Sequence, residues 1–119
     1  MSMFYRSTRD DNVKVTASQA ILKGLAADGG LFVPESIPSL DKSLEELSKM
    51  NYKEVAYEVM KLMLDDFTEE ELKSCIDRAY DSKFDTEEMT PLVKVENEYF
   101  LELFHGATIC LLYTSPSPR

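Results

Sequence analysis

The first third of the chain alternates between short extended segments and one helix. Residues 5–9 have weak strand character, and Thr16 opens a capping box that is followed by apolar residues at helical intervals as far as Leu25. The run 26–30 ends in two glycines and is predicted to stop that helix. Residues 31–33 are then predicted to form a short buried strand or an extended segment, stopped by Pro34.

The middle of the chain is acidic and helical. Residues 41–88 carry fifteen acidic and seven basic side chains, and their apolar positions predict three helices. The first is short and centred on Leu44, the second begins at Asn51, and the third has Thr68 as its N-cap. Cys75 falls on the apolar stripe of the third helix and is predicted to be buried there.

After Pro91 the spacing of apolar residues changes from the helical period to a period of two, which is typical of β-strands. Residues 92–95 and 99–104 flank a polar turn and predict a β-hairpin, whose second strand runs directly into residues 105–108. The pattern therefore predicts an α/β fold: a small domain of short strands and four or so helices, ending in a hairpin. A strand that leads into a glycine-containing turn is a common place for chemistry in such folds.

Composition narrows the class of function. The 119 residues have a net charge of -9, without the clustered lysines and arginines that a nucleic-acid surface requires. No apolar run is long enough to span a membrane, and no secretory signal is visible, so no membrane or nucleic-acid partner is expected. Two distant cysteines give neither a disulfide framework nor a metal site, which favours the reducing cytoplasm.

Two groups of side chains are candidates for chemistry. His105 is the only histidine, and without companion ligands a zinc site is not expected, so no metal is predicted. Gly106 would let a ligand approach the backbone and Thr108 offers a hydroxyl, although a histidine after a strand also serves as a structural hydrogen-bonding group. Residues 7–9 (Ser-Thr-Arg) could hold an anion or form an exposed strand end. The run 28–30 is interpreted as a turn because it lacks the phosphate-loop patterns.

Four ordered segments resemble the N-terminal region of the threonine synthase family. They are Tyr-Arg-Ser-Thr-Arg at 5–9, Ala-Ile-Leu-Lys-Gly-Leu at 20–25, Asp-Gly-Gly-Leu-Phe-Val-Pro at 28–34, and Leu-Glu-Leu-Phe-His-Gly-Ala-Thr at 101–108. The family consists of pyridoxal-phosphate enzymes of fold type II, lyases that convert O-phospho-L-homoserine and water to L-threonine and phosphate. The resemblance implies that activity for the intact parent protein, and pyridoxal 5'-phosphate as its cofactor.

The resemblance also implies a division of the chain. Residues 1–90 would be the N-terminal domain, 91–109 the start of the catalytic domain, and the hairpin would lead into a catalytic body absent from this chain. His105, Gly106 and Thr108 would then lie near the cofactor. Ser7, Thr8 and Arg9 would line the phosphate-bearing end of the substrate.

The chain departs from the family after Ile109. There the family continues Ala-Phe-Lys-Asp, and its lysine forms the Schiff base with the cofactor, whereas this chain has Leu112 at the corresponding position. A hydrocarbon side chain cannot form an imine, so no catalytic residue is assigned and the chain itself is predicted to be inactive. Residues 110–119 read like a translated sequencing-library adapter and are interpreted as a non-native tail.

One rival interpretation comes from a different class. The chain could be a small acidic α/β interaction module with no enzymatic role and a native C-terminal tail. Such a module would be monodisperse and would unfold cooperatively, whereas a part of a larger enzyme would expose apolar surface and aggregate. Another pyridoxal-phosphate enzyme of fold type II is disfavoured by the segment at 28–34 and by the acidic helices.

Overall fold

The structure is a computed structural model that describes residues 3–106. The chain divides into two compact units, Met1–Ile76 and Asp77–Arg119. We refer to their described parts, 3–76 and 77–106, as the N-terminal and C-terminal units. The elements in chain order are β1 (Tyr5–Ser7), α1 (Ala17–Lys23), β2 (Phe32–Pro34), α2 (Leu44–Leu47), α3 (Tyr52–Met63), α4 (Glu69–Ala79), β3 (Leu92–Val95) and β4 (Glu98–Leu101).

The first two strands form an antiparallel pair in the N-terminal unit. Ser7 lies opposite Phe32 and Tyr5 opposite Pro34, and Tyr5 also forms an isolated bridge with Val15. The strand predicted at residues 5–9 is therefore confirmed over Tyr5–Ser7 and does not extend to Arg9. β2 is half-buried rather than buried and includes Pro34 instead of stopping before it. Proline is tolerated here because β2 is an edge strand of a two-stranded sheet.

Local capping sets the helix starts. Thr16 with Gln19, Asn51 with Glu54 and Thr68 with Glu71 exchange the reciprocal bonds of a capping box, which confirms the three starts predicted from the sequence. A fourth capping box, Ser43 with Glu46, opens α2. Each box satisfies backbone N–H groups that the first turn of a helix leaves without a partner.

The first helix is shorter than the apolar pattern predicts. It ends at Lys23, whereas helical spacing of apolar residues continues to Leu25. Gly24 has a φ of 70°, which leaves the helical region, and its N–H closes the last turn on the Ala20 carbonyl. Leu25 then forms a bridge with Leu31, so tertiary pairing takes over where the helix stops.

The core lies in the N-terminal unit and consists of small and aliphatic side chains. The buried apolar residues are Val15, Ala17, Ala20, Ala26, Leu72 and Ile76. The prediction that Cys75 is buried is wrong, because its side chain is exposed. Leu72 and Ile76 are one helical turn apart, so the buried stripe of α4 is narrow and Cys75 falls outside it.

The C-terminal unit contains the predicted hairpin. Leu92 pairs with Leu101 and Val95 with Glu98, and the two-residue connection places Glu96 at a φ of 54°. β4 ends at Leu101 instead of continuing to Phe104. In that register Glu102 faces Pro91, and its N–H still donates to the Pro91 carbonyl at 2.9 Å. The ladder stops there because proline has no N–H with which to return the bond.

The predicted fold class is confirmed. The described chain is a small mixed α/β structure with four helices and short antiparallel strand pairs. None of the helices in its described part has the length and apolar character needed to cross a bilayer.

Candidate functional site

The hydroxyl of Ser7 lies in a closed polar cluster. The residue is 1% exposed, and its Oγ lies 2.8 and 2.7 Å from the two carboxylate oxygens of Asp28. Oγ also accepts the Arg9 backbone N–H at 3.1 Å. Ser7 is therefore not part of an exposed strand end, and its partner is a carboxylate within the chain.

Thr8 and Arg9 bind the same turn from its outer side. Thr8 Oγ1 accepts the Leu31 N–H at 3.0 Å, and the Arg9 guanidinium donates through Nη1 to the Asp28 carbonyl at 3.0 Å. Both residues are exposed. The end of β1 is thus tied to the 28–31 turn, and Thr8 and Arg9 are the members of the triplet that solvent reaches.

Two glycines shape that turn for different reasons. Gly29 has a φ of 78° and its N–H donates to the Ala26 carbonyl, which agrees with the interpretation of 28–30 as a turn. Gly30 is needed for space, since a Cβ there would collide with the Ser7 hydroxyl and stand 3.0 Å from Asp28 Oδ1. The cluster and the turn therefore depend on each other.

The environment of Asp28 favours its ionised form. The pKa of its carboxyl is lowered from the ordinary value, first by the Gly30 backbone N–H and then by the Ser7 hydroxyl. Desolvation opposes this shift, and the Arg9 charge adds to it. Asp28 thus stays anionic and occupies the hydrogen-bonding capacity that Ser7 would otherwise offer to an external anion.

His105 lies between two carboxylates in the C-terminal unit. Its Nδ1 is 2.5 Å from Asp85 Oδ1 and its Nε2 is 2.7 Å from Glu102 Oε2, with 12% of the side chain exposed. The pKa of the imidazole is raised from its ordinary value, mainly by the bond to Glu102 and next by the bond to Asp85, while desolvation opposes the shift. The ring is therefore held with both nitrogens engaged.

Of the other predicted site residues, the structure describes Gly106 but not Thr108. A Cβ on Gly106 would lie 3.3 Å from the ring of Phe84, so this backbone is close to an aromatic side chain rather than open. Thr108, Leu112 and the tail 110–119 lie outside the described residues. The structure brings together residues 7–9 in one unit and residues 105–106 in the other.

Sequence reasoning missed three carboxylates that define these clusters. Glu102 precedes His105 by three residues, a spacing that could have indicated the contact. Asp28 was noted only as part of a turn, and Asp85 had no signal, since each meets its partner across about twenty residues. Contacts at that separation depend on the tertiary fold.

The surroundings of His105 do not resemble a metal site. No cluster suited to a metal ion occurs within residues 3–106, and the two carboxylates at His105 sit at opposite ring nitrogens instead of converging on one point. The hydrogen-bond partners that the structure gives the imidazole are carboxylates, not a phosphate-binding group or an amine.

Comparison with known proteins gives this architecture a class. A family model described as "Threonine synthase N terminus" matches residues 4–80. A crystal structure of threonine synthase from yeast superposes with a TM-score of 0.77 and 37% identity, covering 88% of this chain and 22% of that one. The pyridoxal-phosphate-bound threonine synthase from Brucella melitensis gives 0.76 and 34%, covering 91% and 24%.

Curated sequences agree with the structures. The chain is 40% identical over 117 residues to threonine synthase of Saccharomyces cerevisiae, covering 90% of this chain and 23% of that protein. It is 43% identical over 108 residues to the Schizosaccharomyces pombe enzyme, covering 87% and 21%. The chain belongs to the threonine synthase N-terminal family. It spans about a quarter of the length of the curated relatives it matches.

Proposed function

We propose that this chain is the N-terminal region of a threonine synthase whose intact form converts O-phospho-L-homoserine and water to L-threonine and phosphate. The observation that carries the proposal is the ordered superposition on yeast threonine synthase over 88% of the chain at 37% identity. Identity at that level, combined with superposition over most of the chain, supports common function as well as common fold. The intact protein would be a cytoplasmic lyase.

The proposed cofactor of the intact protein is pyridoxal 5'-phosphate, supported by the bound cofactor in the Brucella melitensis relative. When bound, it supplies an electron sink for chemistry at the amino-acid substrate. We place the turn of His105, Gly106 and Thr108 beside it. The role of His105 would be to hold that turn, since both of its ring nitrogens already have carboxylate partners.

The substrate proposal divides the Ser-Thr-Arg triplet. Ser7 is 1% exposed and bonded to Asp28, so it would support the site from within. Thr8 and Arg9 are exposed. The Arg9 guanidinium donates one hydrogen bond, from Nη1 to the Asp28 carbonyl, and has further N–H groups that could bind a phosphate. A guanidinium and a hydroxyl suit the phosphate of O-phospho-L-homoserine, which is why we place them at that end of the substrate.

We further propose that the 119-residue chain is itself inactive. Leu112 stands where the family has its lysine, and a hydrocarbon cannot form an imine. In this proposal residues 1–90 form the N-terminal domain, 91–109 begin the catalytic domain, and 110–119 are non-native. Sequencing the source locus across codon 109 with an adapter-free primer tests the last point, which fails if Leu112 is encoded there.

A chimera tests the function directly. Residues 1–109 are joined to the yeast threonine synthase body, starting at its Ala-Phe-Lys-Asp segment, in a yeast strain that lacks its own enzyme. We expect growth without threonine from the chimera, and none from the 119-residue chain or from a chimera with that lysine changed to alanine. A chimera that accumulates as soluble protein but does not support growth would contradict the proposal.

The rival function, a small acidic interaction module, makes a different prediction for the isolated chain. A module should be monodisperse by size-exclusion chromatography and should melt in one cooperative transition. A part of a larger enzyme should self-associate through the exposed apolar hairpin. A monodisperse, cooperative chain combined with a failed chimera would favour the module.

A further inference from the structure

His105 is held from two directions by groups that are far apart in sequence. Asp85 comes from the segment that follows α4, and Glu102 from the segment that follows β4. The Asp85 N–H also donates to the His105 carbonyl at 3.2 Å, so backbone and side chain meet at the same point. Together these contacts close a loop of about twenty residues that contains the whole β3–β4 hairpin.

The chemistry of the contacts fixes the protonation state of the ring. An ionised carboxylate only accepts hydrogen bonds, and a neutral imidazole has one N–H and one lone pair. A neutral ring could therefore satisfy only one of the two carboxylates and would turn a lone pair toward the other. Both distances, 2.5 and 2.7 Å, are within hydrogen-bond range, so with both carboxyl groups ionised each ring nitrogen must carry a proton.

We propose that Asp85 and Glu102 are positioning residues that hold His105 as an imidazolium, forming a clamp that closes the hairpin loop and opens when the ring loses a proton. The proposal goes beyond the function proposed above and does not rest on it. Every residue it uses lies within the C-terminal unit. While the clamp is closed, His105 has no lone pair to act as a base or a metal ligand.

The charged groups that face the ring set the direction of the pH dependence. These groups are Asp85 and Glu102, and the neighbouring Phe104 ring, 4.5 Å between centroids, carries no charge. The pKa of His105 is raised from its ordinary value of 6.5. The stabilisation is therefore complete below that ordinary value and is lost as the pH rises through the higher value of the closed clamp.

The single histidine makes the test direct, since its ring gives one set of resonances without ambiguity of assignment. The full 119-residue chain is titrated by NMR from about pH 5 to about pH 9, alone and in concentrated urea, which supplies the ordinary imidazole value. We expect a higher midpoint in buffer than in urea. Below that midpoint, the ¹⁵N shifts should report a proton on both nitrogens. A midpoint equal to or lower than that in urea would overturn the proposal.

Variants locate the cause of the shift. Asp85→Asn and Glu102→Gln should each lower the midpoint toward the urea value, while Glu98→Gln removes the same charge from β4 without removing a ring contact and should leave it nearly unchanged. If Glu98→Gln lowers the midpoint as much as Glu102→Gln, net charge rather than the clamp is responsible and the proposal fails. The unsubstituted chain keeps the test decisive if a variant does not fold.

The conformational half of the proposal has its own readout. Cross-peaks between the His105 ring and the side chains of Asp85 and Glu102 should be present below the midpoint and lost above it. If they persist unchanged through the titration, the clamp does not open and that half is wrong.

Discussion

The two units of the chain differ in what surrounds their apolar side chains. In residues 3–76, β1, β2 and the helices bury a small core and one polar side chain, Ser7. In residues 77–106 no described residue is buried, and every position of β3 and β4 is exposed. Yet the strands of the hairpin are more apolar than β1 and β2, since six of their eight residues are Leu, Val, Tyr or Phe.

The difference separates two sources of order. Strand pairing and turn formation in the hairpin require only neighbours along the chain, so its ladder forms without a covering layer. An isolated two-stranded hairpin is marginally stable in water, however, and strands that are apolar on both faces are typical of sheets covered on both sides. The N-terminal unit covers its own strands with helices, whereas among the described residues of the C-terminal unit none covers the hairpin strands.

The largest expected loss of stability comes from replacing one leucine in each unit with alanine. Leu72 is 4% exposed and Leu101 is 57% exposed. We expect Leu72→Ala to lower the free energy of unfolding by about 2–3 kcal/mol, because it leaves a cavity in the small core. Leu101→Ala should cost less than about 0.5 kcal/mol. Urea unfolding followed by helical circular dichroism measures both, and equal costs would mean that the hairpin is packed in solution.

The same contrast explains what the sequence could predict. The helix starts at Thr16, Asn51 and Thr68 were predicted correctly because both partners of each cap lie within four residues and the chemistry of the first turn is local. Ser43 and Glu46 carried the same signal and were overlooked. The hairpin was also predicted, since its period and its short polar turn are properties of contiguous residues.

The errors occurred where tertiary contacts decide. Spacing of apolar residues could not reveal that Gly24 ends α1, because the bridge between Leu25 and Leu31 is formed with a later segment. Cys75 lies at a helical position that the pattern assigns to the apolar stripe, but only Leu72 and Ile76 of α4 are buried. The site residues Asp28 and Asp85 join their partners across twenty-one and twenty residues, beyond any local pattern.

An intermediate loss of stability is expected from adding one methyl group to a glycine in each unit. Gly30→Ala would press against the Ser7 hydroxyl, Asp28 and Thr8, which are held by their own hydrogen bonds, and should cost about 1–3 kcal/mol. Gly106→Ala would meet only the ring of Phe84, which is half-buried and can move, so we expect a change within about 0.5 kcal/mol.

Thermal unfolding of the two glycine variants in parallel measures this difference. If Gly106→Ala proves as costly as Gly30→Ala, the C-terminal unit is as tightly packed as the N-terminal one, and the contrast between them is wrong.

The smallest expected effect is a change in how steeply the free energy of unfolding falls with decreasing pH when Asp28 is replaced. The pKa of Asp28 is lowered from 3.8, so its ionised form contributes stability above that value and loses it as the pH falls through the folded-state pKa. Asp28→Asn removes this contribution, and the stability of the variant should fall less steeply with acid than that of the original chain. The change is small because Glu46, Asp66, Glu69 and Glu71 have lowered pKa values too and keep their share of the slope.

Ser7→Ala serves as the matched partner of that substitution, since it removes the second-largest cause of the Asp28 shift and leaves the carboxyl in place. Its acid slope should lie between those of the original chain and Asp28→Asn, measured as unfolding midpoints in urea from about pH 5 to about pH 2.5. Identical slopes in all three proteins would mean that the polar cluster beneath the 28–30 turn does not form. The N-terminal unit would then be stabilised only by its apolar core and its helix caps.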